Sequence, residues 1–227
     1  MSVSIIVPIL NEENIIEKLI SNLNELEGEF EVIFSDGGSS DKTLSILNSV
    51  IKNNYKIVHS QKGRAKQLNN GAKESRYDIL LFLHSDSVVE KDVLIKIENF
   101  IKTNNAGCLK IKFDSRKILM HICGFFSNLR VSLRHIAFGD QGIFIKKELF
   151  NDIGMFDDIA LMEDYKLSIK LKKVSPIKAI DSYIISSARR FEKNGVIKTM
   201  ICMQKLQYMF RNNEDIEKIA NIYNNMK

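Results

Sequence analysis

His84 and Asp86 stand two residues apart where an apolar run, residues 79–83, gives way to polar side chains. Five consecutive large apolar residues without alternation read as a strand buried on both faces, as in the middle of a parallel sheet. Ligands of open α/β sheets bind beyond the carboxyl ends of such strands. An imidazole and a carboxylate at that position are placed to hold a metal ion or a phosphate. The same residues also suit a plain polar turn, with Asp86 or Ser87 capping a helix that starts near Glu90.

Three more polar stretches follow predicted strands: Pro8-Ile9-Leu10-Asn11-Glu12-Glu13, Asp36-Gly37-Gly38-Ser39-Ser40-Asp41 and Gly63-Arg64-Ala65-Lys66-Gln67. Each has a local explanation. Asn11 can cap a helix, Asp36-Gly37-Gly38 can be a turn with glycines at positive φ, and Arg64 with Lys66 can be a solvated helix face. Taken together they set carboxylates, a glycine loop and a cation around one crevice, which suits a nucleoside diphosphate. Asp36 could accept a hydrogen bond from a base imide. A helix starting at Arg64 offers backbone N–H groups and a cation to phosphate. The pattern is neither a G-x-G-x-x-G fingerprint nor a phosphate-binding P-loop.

The elements that must position these residues alternate through the first half. Strands are expected at 3–7, 30–34, 56–59 and 79–83, and helices at 14–26, 41–51, 64–73 and 93–101. Alternation of this kind predicts a parallel sheet with right-handed crossovers, a Rossmann-like half. The second half reads as strands at 108–113, 142–145 and 179–186, with helices at 118–136, 165–171, 195–210 and 215–223. The fold class is α/β: one mixed, mainly parallel sheet flanked by helices, with a C-terminal helical tail.

The 227 residues suit one domain with a sizeable core. No apolar run approaches the ~18 residues of a membrane span. The N-terminal MSVSIIVPILNEE lacks a basic leader, and Pro8 interrupts its apolar run, so no signal peptide is expected. Cys108, Cys123 and Cys202 are odd in number and widely spaced, which argues against a disulfide framework or a zinc site and fits a reducing cytoplasm. Between Lys110 and Arg134 lie six Lys or Arg and one acid, an excess equal to the net +5 of the whole chain. That concentration points to an anionic partner, phosphate or a membrane surface.

The order PxxNEE, DGGSSD, GRAKQ, LLFLHSD resembles the family 2 glycosyltransferases of GT-A fold. The resemblance continues through Gly139-Asp140-Gln141-Gly142-Ile143-Phe144, Leu161-Met162-Glu163-Asp164 and Ser187-Ala188-Arg189-Arg190-Phe191-Glu192. These later motifs are similar to those of a bacterial subgroup named radical-SAM/selenodomain-associated transferase 2. The resemblance implies a single GT-A domain over 1–227, with a nucleotide-binding half (1–104), an acceptor and catalytic half (105–192) and a helical tail (193–227). It implies an inverting transferase of hexosyltransferase type. Such an enzyme moves a sugar from a UDP- or GDP-sugar to an acceptor hydroxyl with the help of Mg²⁺ or Mn²⁺.

Carried onto this chain, the family pattern makes Pro8, Asn11, Glu12, Asp36, Gly63, Arg64, Gln67, His84, Asp86, Arg189 and Arg190 donor-binding residues. Asp86 is the metal ligand, where His84-Ser85-Asp86 replaces the family's D-x-D. Asp164 is the general base, and Glu163 orients it or binds acceptor. Asp140 and Gln141 face the acceptor or satisfy a turn. Adjacent acids on a helix point about 100° apart, so one of the pair serves as base; two acids at a helix start also suit the macrodipole. A nucleotidyltransferase, or a degenerate protein that binds nucleotide without transfer, is the competing expectation. No nucleic-acid partner is expected. The basic helix over 117–136, with Phe125, Phe126, Leu129 and Leu133 beside Arg130 and Arg134, either packs its apolar stripe on the core or contacts the inner face of a membrane, where a lipid-linked acceptor would lie.

Overall fold

The computed structural model describes residues 2–50 and 52–226. Met1, Ile51 and Lys227 lie outside the described residues, so the predicted end of the second helix at Ile51 falls outside them too. The strands β1 (Val3–Ile9), β2 (Phe30–Asp36), β3 (Tyr55–His59) and β4 (Ile79–Phe82) pair in parallel in the order β3-β2-β1-β4. The sheet continues through β7 (Phe144–Lys146), β6 (Ala106–Phe113), β8 (Lys178–Ser186) and the two-residue β5 (Val88–Val89). β7 runs antiparallel to both β4 and β6, β8 is parallel to β6, and β5 is antiparallel to β8. Residues 86–89 therefore turn back into the sheet edge before the next helix.

Strand periodicity divides the core into two layers. Val3, Ile5, Val7 and Ile9 pack with Leu81 on α1 (Ile16–Asn24), α2 (Thr43–Val50) and α4 (Val93–Ile101). The alternate residues Ile6, Leu80 and Phe82 pack on α3 (Arg64–Lys73), α6 (Lys147–Asp152) and α7 (Glu163–Val174). All four residues of β4 are buried, as its unbroken apolar run predicts. α2 starts at Thr43, two residues later than expected, and Asp41 ahead of it accepts the Thr43 N–H on Oδ1 at 2.9 Å.

The long helix α5 (Ile118–Arg134) turns its apolar stripe outward. The residues buried against β6 are Met120, Gly124 and Val131. A Cβ on Gly124 would stand 3.4 Å from the Ile111 carbonyl, an ordinary contact distance, so the helix backbone lies directly against the strand at this point. Phe125 and Phe126 are left in solvent. The tail helices α9 (Val196–Arg211) and α10 (Ile216–Asn224) belong to the core: Leu206, Met209 and Ile219 pack on Leu161, Met162 and Tyr165. They buttress the segment that carries Glu163 and Asp164. The six-residue helix α8 (Arg189–Asn194), absent from the sequence reading, follows β8 directly.

Candidate active site

Because β1 to β4 are parallel, Asn11, Asp36, Gly63 and His84 all emerge at one edge of the sheet. β8 ends at the same edge and delivers Arg189 and Arg190 at the start of α8. The antiparallel β7 enters from that edge, so the 3-10 turn Gly139–Gln141 lies there as well. His135, in the left-handed region at φ 58°, ends α5 and redirects the chain toward this turn.

The centre of the crevice is an ion cluster around Arg64, the first residue of α3. It follows Gly63, whose φ of 138° disfavours any side chain. The Arg64 Nε donates to Glu163 Oε1, and Nη2 lies 3.3 Å from Asp164 Oδ2. Nη1 lies 3.4 Å from the His84 Nε2. Glu163 and Asp164 open α7 and are 2% and 5% exposed. Burial works against the Arg64 charge, but the two carboxylates more than offset it and raise its pKa. Burial pushes Glu163 upward; Arg64 pulls it down and Asp164 pushes it up again. Asp164 is held on both oxygens. Oδ2 also accepts the Gly139 N–H at 2.8 Å, and Oδ1 accepts the Tyr165 N–H at 2.7 Å. A Cβ on Gly139 would stand 2.7 Å from His84 Nε2 and 3.4 Å from Asp164 Oδ2, so only glycine lets this backbone approach the pair.

Burial first, then the Arg64 and Arg190 guanidiniums, pushes the His84 imidazole down to about 3. The ring is neutral at pH 7. Its Nε2 faces a donor, which assigns the remaining hydrogen to Nδ1. The unfolded chain takes up this proton near the ordinary value of about 6.5, so between there and about 3 it holds more protons than the folded chain. Acidification through that window therefore costs stability at this site. Asp140 works in the opposite sense between the ordinary carboxylate range and about 6. Comparing wild type with His84→Gln cancels it. Denaturation midpoints of the wild type are expected to fall more steeply with acid than those of His84→Gln; parallel curves would exclude a half-buried imidazole held neutral.

On the first-half side the loops bind each other. Asn11, at φ 57°, donates its backbone N–H to Ser39 Oγ at 3.0 Å and accepts the Ser40 N–H on Oδ1 at 2.8 Å. Asp36, 2% exposed, accepts the Gly38 and Ser39 N–H groups, both at 3.0 Å. Gln67 is buried and donates to the Ile9 and Ser35 carbonyls at 2.8 and 2.9 Å. Its amide hydrogens clamp the ends of β1 and β2 together, so any influence on a ligand runs through the position of these strand ends. Pro8 is half-buried on β1. Glu12 accepts the Ser85 hydroxyl at 2.9 Å; burial raises its pKa, Ser85 and Arg189 lower it, and Asp86 raises it.

Asp86 is exposed at the crevice mouth, with no ion pair among the described residues. Its surroundings raise its pKa through desolvation, offset by Arg189 and Arg190. Arg190 donates to the Tyr223 hydroxyl on α10 and stacks 4.5 Å above that ring. Arg189 is exposed. Opposite them, Arg130 of α5 reaches Gln141 Oε1 at 2.6 Å and the Ile136 carbonyl at 3.1 Å, with its guanidinium 4.2 Å over the Phe138 ring. Gln141 is fully buried, and its Nε2 has no hydrogen-bond partner among the described residues. The half-buried Asp140 is pushed up to about 6 by desolvation, against the pull of Arg130 and with a further push from Asp164.

Arg130 and Tyr223 are site residues that no motif marked, and Gly139, the first residue of a quoted motif, was given no role of its own. Arg130 sits in a helix that reads as amphipathic, and Tyr223 in a tail without polar pattern. No local signal pairs Tyr223 with Arg190, since 33 positions of sequence separate them.

The model of glycosyl transferase family 2 matches residues 4–152, which include every strand-end loop of the first half and the turn at Gly139. The chain belongs to glycosyl transferase family 2. It is 29% identical over 182 residues to the poly-beta-1,6-N-acetyl-D-glucosamine synthase of Staphylococcus aureus, a match covering 71% of this chain and 43% of that one. The chain thus spans less than half the length of the curated relatives it matches. Among solved structures, Staphylococcus aureus TarS 1-349 superposes with a TM-score of 0.69 at 23% identity, covering 100% of this chain and 71% of that one. A second TarS structure is a complex with UDP-GlcNAc. The mannosyltransferase PcManGT of Pyrobaculum calidifontis, in complex with GDP-Man and Mn²⁺, superposes with a TM-score of 0.70 at 17% identity, covering 99% of this chain and 69% of that one. These likenesses establish the GT-A-like fold of this family 2 member: a mixed α/β sheet with flanking and C-terminal helices.

Proposed function

We propose that the chain is an inverting glycosyltransferase that moves a sugar from a nucleoside-diphosphate sugar to an acceptor hydroxyl, with Asp164 as general base. The observation that carries this reading is the cluster at the strand ends, where one arginine binds both Asp164 and Glu163. An acceptor hydroxyl is a poor nucleophile, and a carboxylate that takes its proton during attack lowers the barrier. Attack from the face opposite the leaving group inverts the anomeric carbon. Charge developing on the nucleoside diphosphate is met by Arg64, Arg189 and Arg190 and by the N–H groups at the start of α3. Pro8, Asn11, Glu12 and Asp36 wall the nucleoside pocket, residues 2–104 form the donor half, and residues 105–192 form the acceptor half. UDP- and GDP-sugars are the donor class, in keeping with the ligands of TarS and PcManGT. Gln141 Nε2 and Asp140 face the acceptor. A buried amide donor without a partner costs stability, and an acceptor oxygen would satisfy it.

The donor set fits a divalent cation that arrives with the diphosphate. Mg²⁺ and Mn²⁺ take one or two carboxylates and complete their shell with phosphate oxygens and water. Asp86 supplies one unpaired, exposed carboxylate. His84 turns its Nε2 to Arg64, and no group of three or more His, Cys, Asp or Glu among the described residues could cage an ion. Bound there, the cation would offset charge on the leaving group. Asp86→Ala is expected to weaken Mn²⁺-dependent UDP or GDP binding by at least roughly tenfold, the low end of the effect of residues supporting a metal's ligands. Calorimetric titration with and without Mn²⁺ checks this, and retained cation dependence would rule out Asp86 as a ligand. The single carboxylate also favours a second reading, a protein that binds nucleotide without transfer. Release of free nucleoside diphosphate from a panel of nucleotide sugars and acceptors separates the two.

A further inference from the structure

Two adjoining helices carry apolar stripes away from the core. On α5, Ile118, Phe125, Phe126 and Leu133 are 76%, 63%, 57% and 71% exposed and share one helical face. On α9, which packs against α5, Ile197, Ile201 and Tyr208 are 59%, 65% and 60% exposed. Single exposed apolar residues are ordinary, whereas stripes on neighbouring helices form a patch that is costly to leave in water.

The charge on these helices is one-sided. Neither α5 nor α9 contains an Asp or Glu. Arg130 is spent inward on Gln141. Arg134, Lys198, Lys205 and Arg211 are exposed, and Arg116 stands exposed just before α5, where Lys117 pairs with Glu192 of α8 at 3.6 Å. Beside the stripe, between α5 and strands β6 and β8, a cavity of about 190 Å³ is lined by Lys112, His121 and Asn128 together with Phe113, Met120 and Phe125. Its lining mixes one cation and polar side chains with apolar ones, a combination suited to the boundary between a phospholipid headgroup and its chains.

We propose that α5 and α9 form a docking face for an anionic phospholipid bilayer. An apolar layer beneath negative headgroups matches an apolar stripe rimmed by Lys and Arg. A second copy of the chain is the poorer occupant, because mating this face with itself would oppose like charges with no carboxylate on either helix to compensate. No helix among the described residues is long and apolar enough to cross a membrane, so the contact lies in the interface plane. Arg130 ties the inner side of α5 to Gln141 and Phe138, so docking holds the acceptor edge of the crevice at the lipid surface. Taken with the transferase reading, this favours an acceptor carried by a lipid. The docking itself stands without that reading, and its test requires no turnover.

The test is flotation of the full chain with phosphatidylcholine vesicles, with and without phosphatidylglycerol. The wild type is expected to float with the anionic vesicles at low salt, to stay in solution with phosphatidylcholine alone, and to be released as salt screens the charges. Phe125→Asp with Phe126→Asp is expected to weaken partitioning at least about tenfold, with an unchanged melting temperature because both rings already face solvent. Lys198→Glu with Lys205→Glu is expected to remove the preference for anionic lipid. Absence of wild-type flotation at low salt, or variants that float as the wild type does, would overturn the proposal. So would sedimentation showing that the Phe variants dissociate a dimer while the wild type ignores vesicles.

Discussion

Asp164→Asn is expected to lower sugar transfer by about 10²- to 10⁴-fold, the span of a lost general base, while nucleotide binding is retained. The substitution keeps the shape of the side chain and removes its ability to take a proton. Asp164 Oδ2 receives the Gly139 N–H and the Arg64 guanidinium, and Oδ1 receives the Tyr165 N–H. An asparagine must turn its amide group toward one of these donors. A loss of about 1–3 kcal/mol of stability is therefore expected as well, and transfer must be measured well below the melting temperature of the variant. Rate loss with unaltered nucleotide affinity separates a base from a residue that merely holds the donor. Unchanged turnover would remove Asp164 from the mechanism and leave Glu163 or Asp140, the latter with its carboxyl raised to about 6, as the proton acceptor.

Arg64→Met is expected to produce the largest loss of stability. Glu163 and Asp164 are both buried at adjacent positions, and Arg64 is their common counter-ion. Removing one partner of a buried ion pair costs about 3–5 kcal/mol, because a charge is left without solvent or partner. The start of α7 lends both acids some support from its N–H groups, which places the value toward the lower end. In a chain of this size that lowers the melting temperature by roughly 10 °C. The pH dependence has a definite sign. A carboxyl whose folded pKa is raised contributes stability below its unfolded value and loses it as pH rises through the folded one. Glu163 is already raised, and loss of Arg64 raises it further. The deficit of Arg64→Met relative to the wild type should therefore be greatest near neutral pH and shrink in mild acid. Thermal melts of both proteins at the two pH values test this. Equal melting temperatures at neutral pH would show that the acids are not held by Arg64.

The two residues reach each other across 99 positions of sequence, which is why their relation was not legible beforehand. What was legible had a short range. The apolar run that ends at His84, the alternating strands and helices before it, and α3 and α4 with their bounds follow from side-chain period and local polarity. A parallel arrangement then forces the four loops of the first half to one edge. The second half was read less completely. The antiparallel β7 lies between β4 and β6, although residues 106–113 precede it in the chain. Hydrophobic period marks a strand without naming its neighbour.

Loop motifs behaved in the same way. Asn11, Asp36 and Gln67 lie at the strand ends, and much of their hydrogen-bonding capacity goes to neighbouring backbone. A polar side chain near a strand end has two customers, the ligand and the loop's own N–H and C=O groups, and composition does not tell them apart. The outward stripe of α5 shows the same limit for apolar residues. Its period identifies one apolar face, and the burial of Met120, Gly124 and Val131 decides that this face is not the one packed on the sheet.

The sequence by itself determined the α/β alternation, the shared edge and the family to which the chain belongs, because these depend on neighbours a few residues apart. Only the tertiary structure decided that Arg64 binds both acids, that Arg130 and Tyr223 enter the site, and that the helical tail supports Glu163 and Asp164. Those outcomes depend on which distant surfaces fill one another's space and neutralise one another's charge. No local pattern of residue types encodes them.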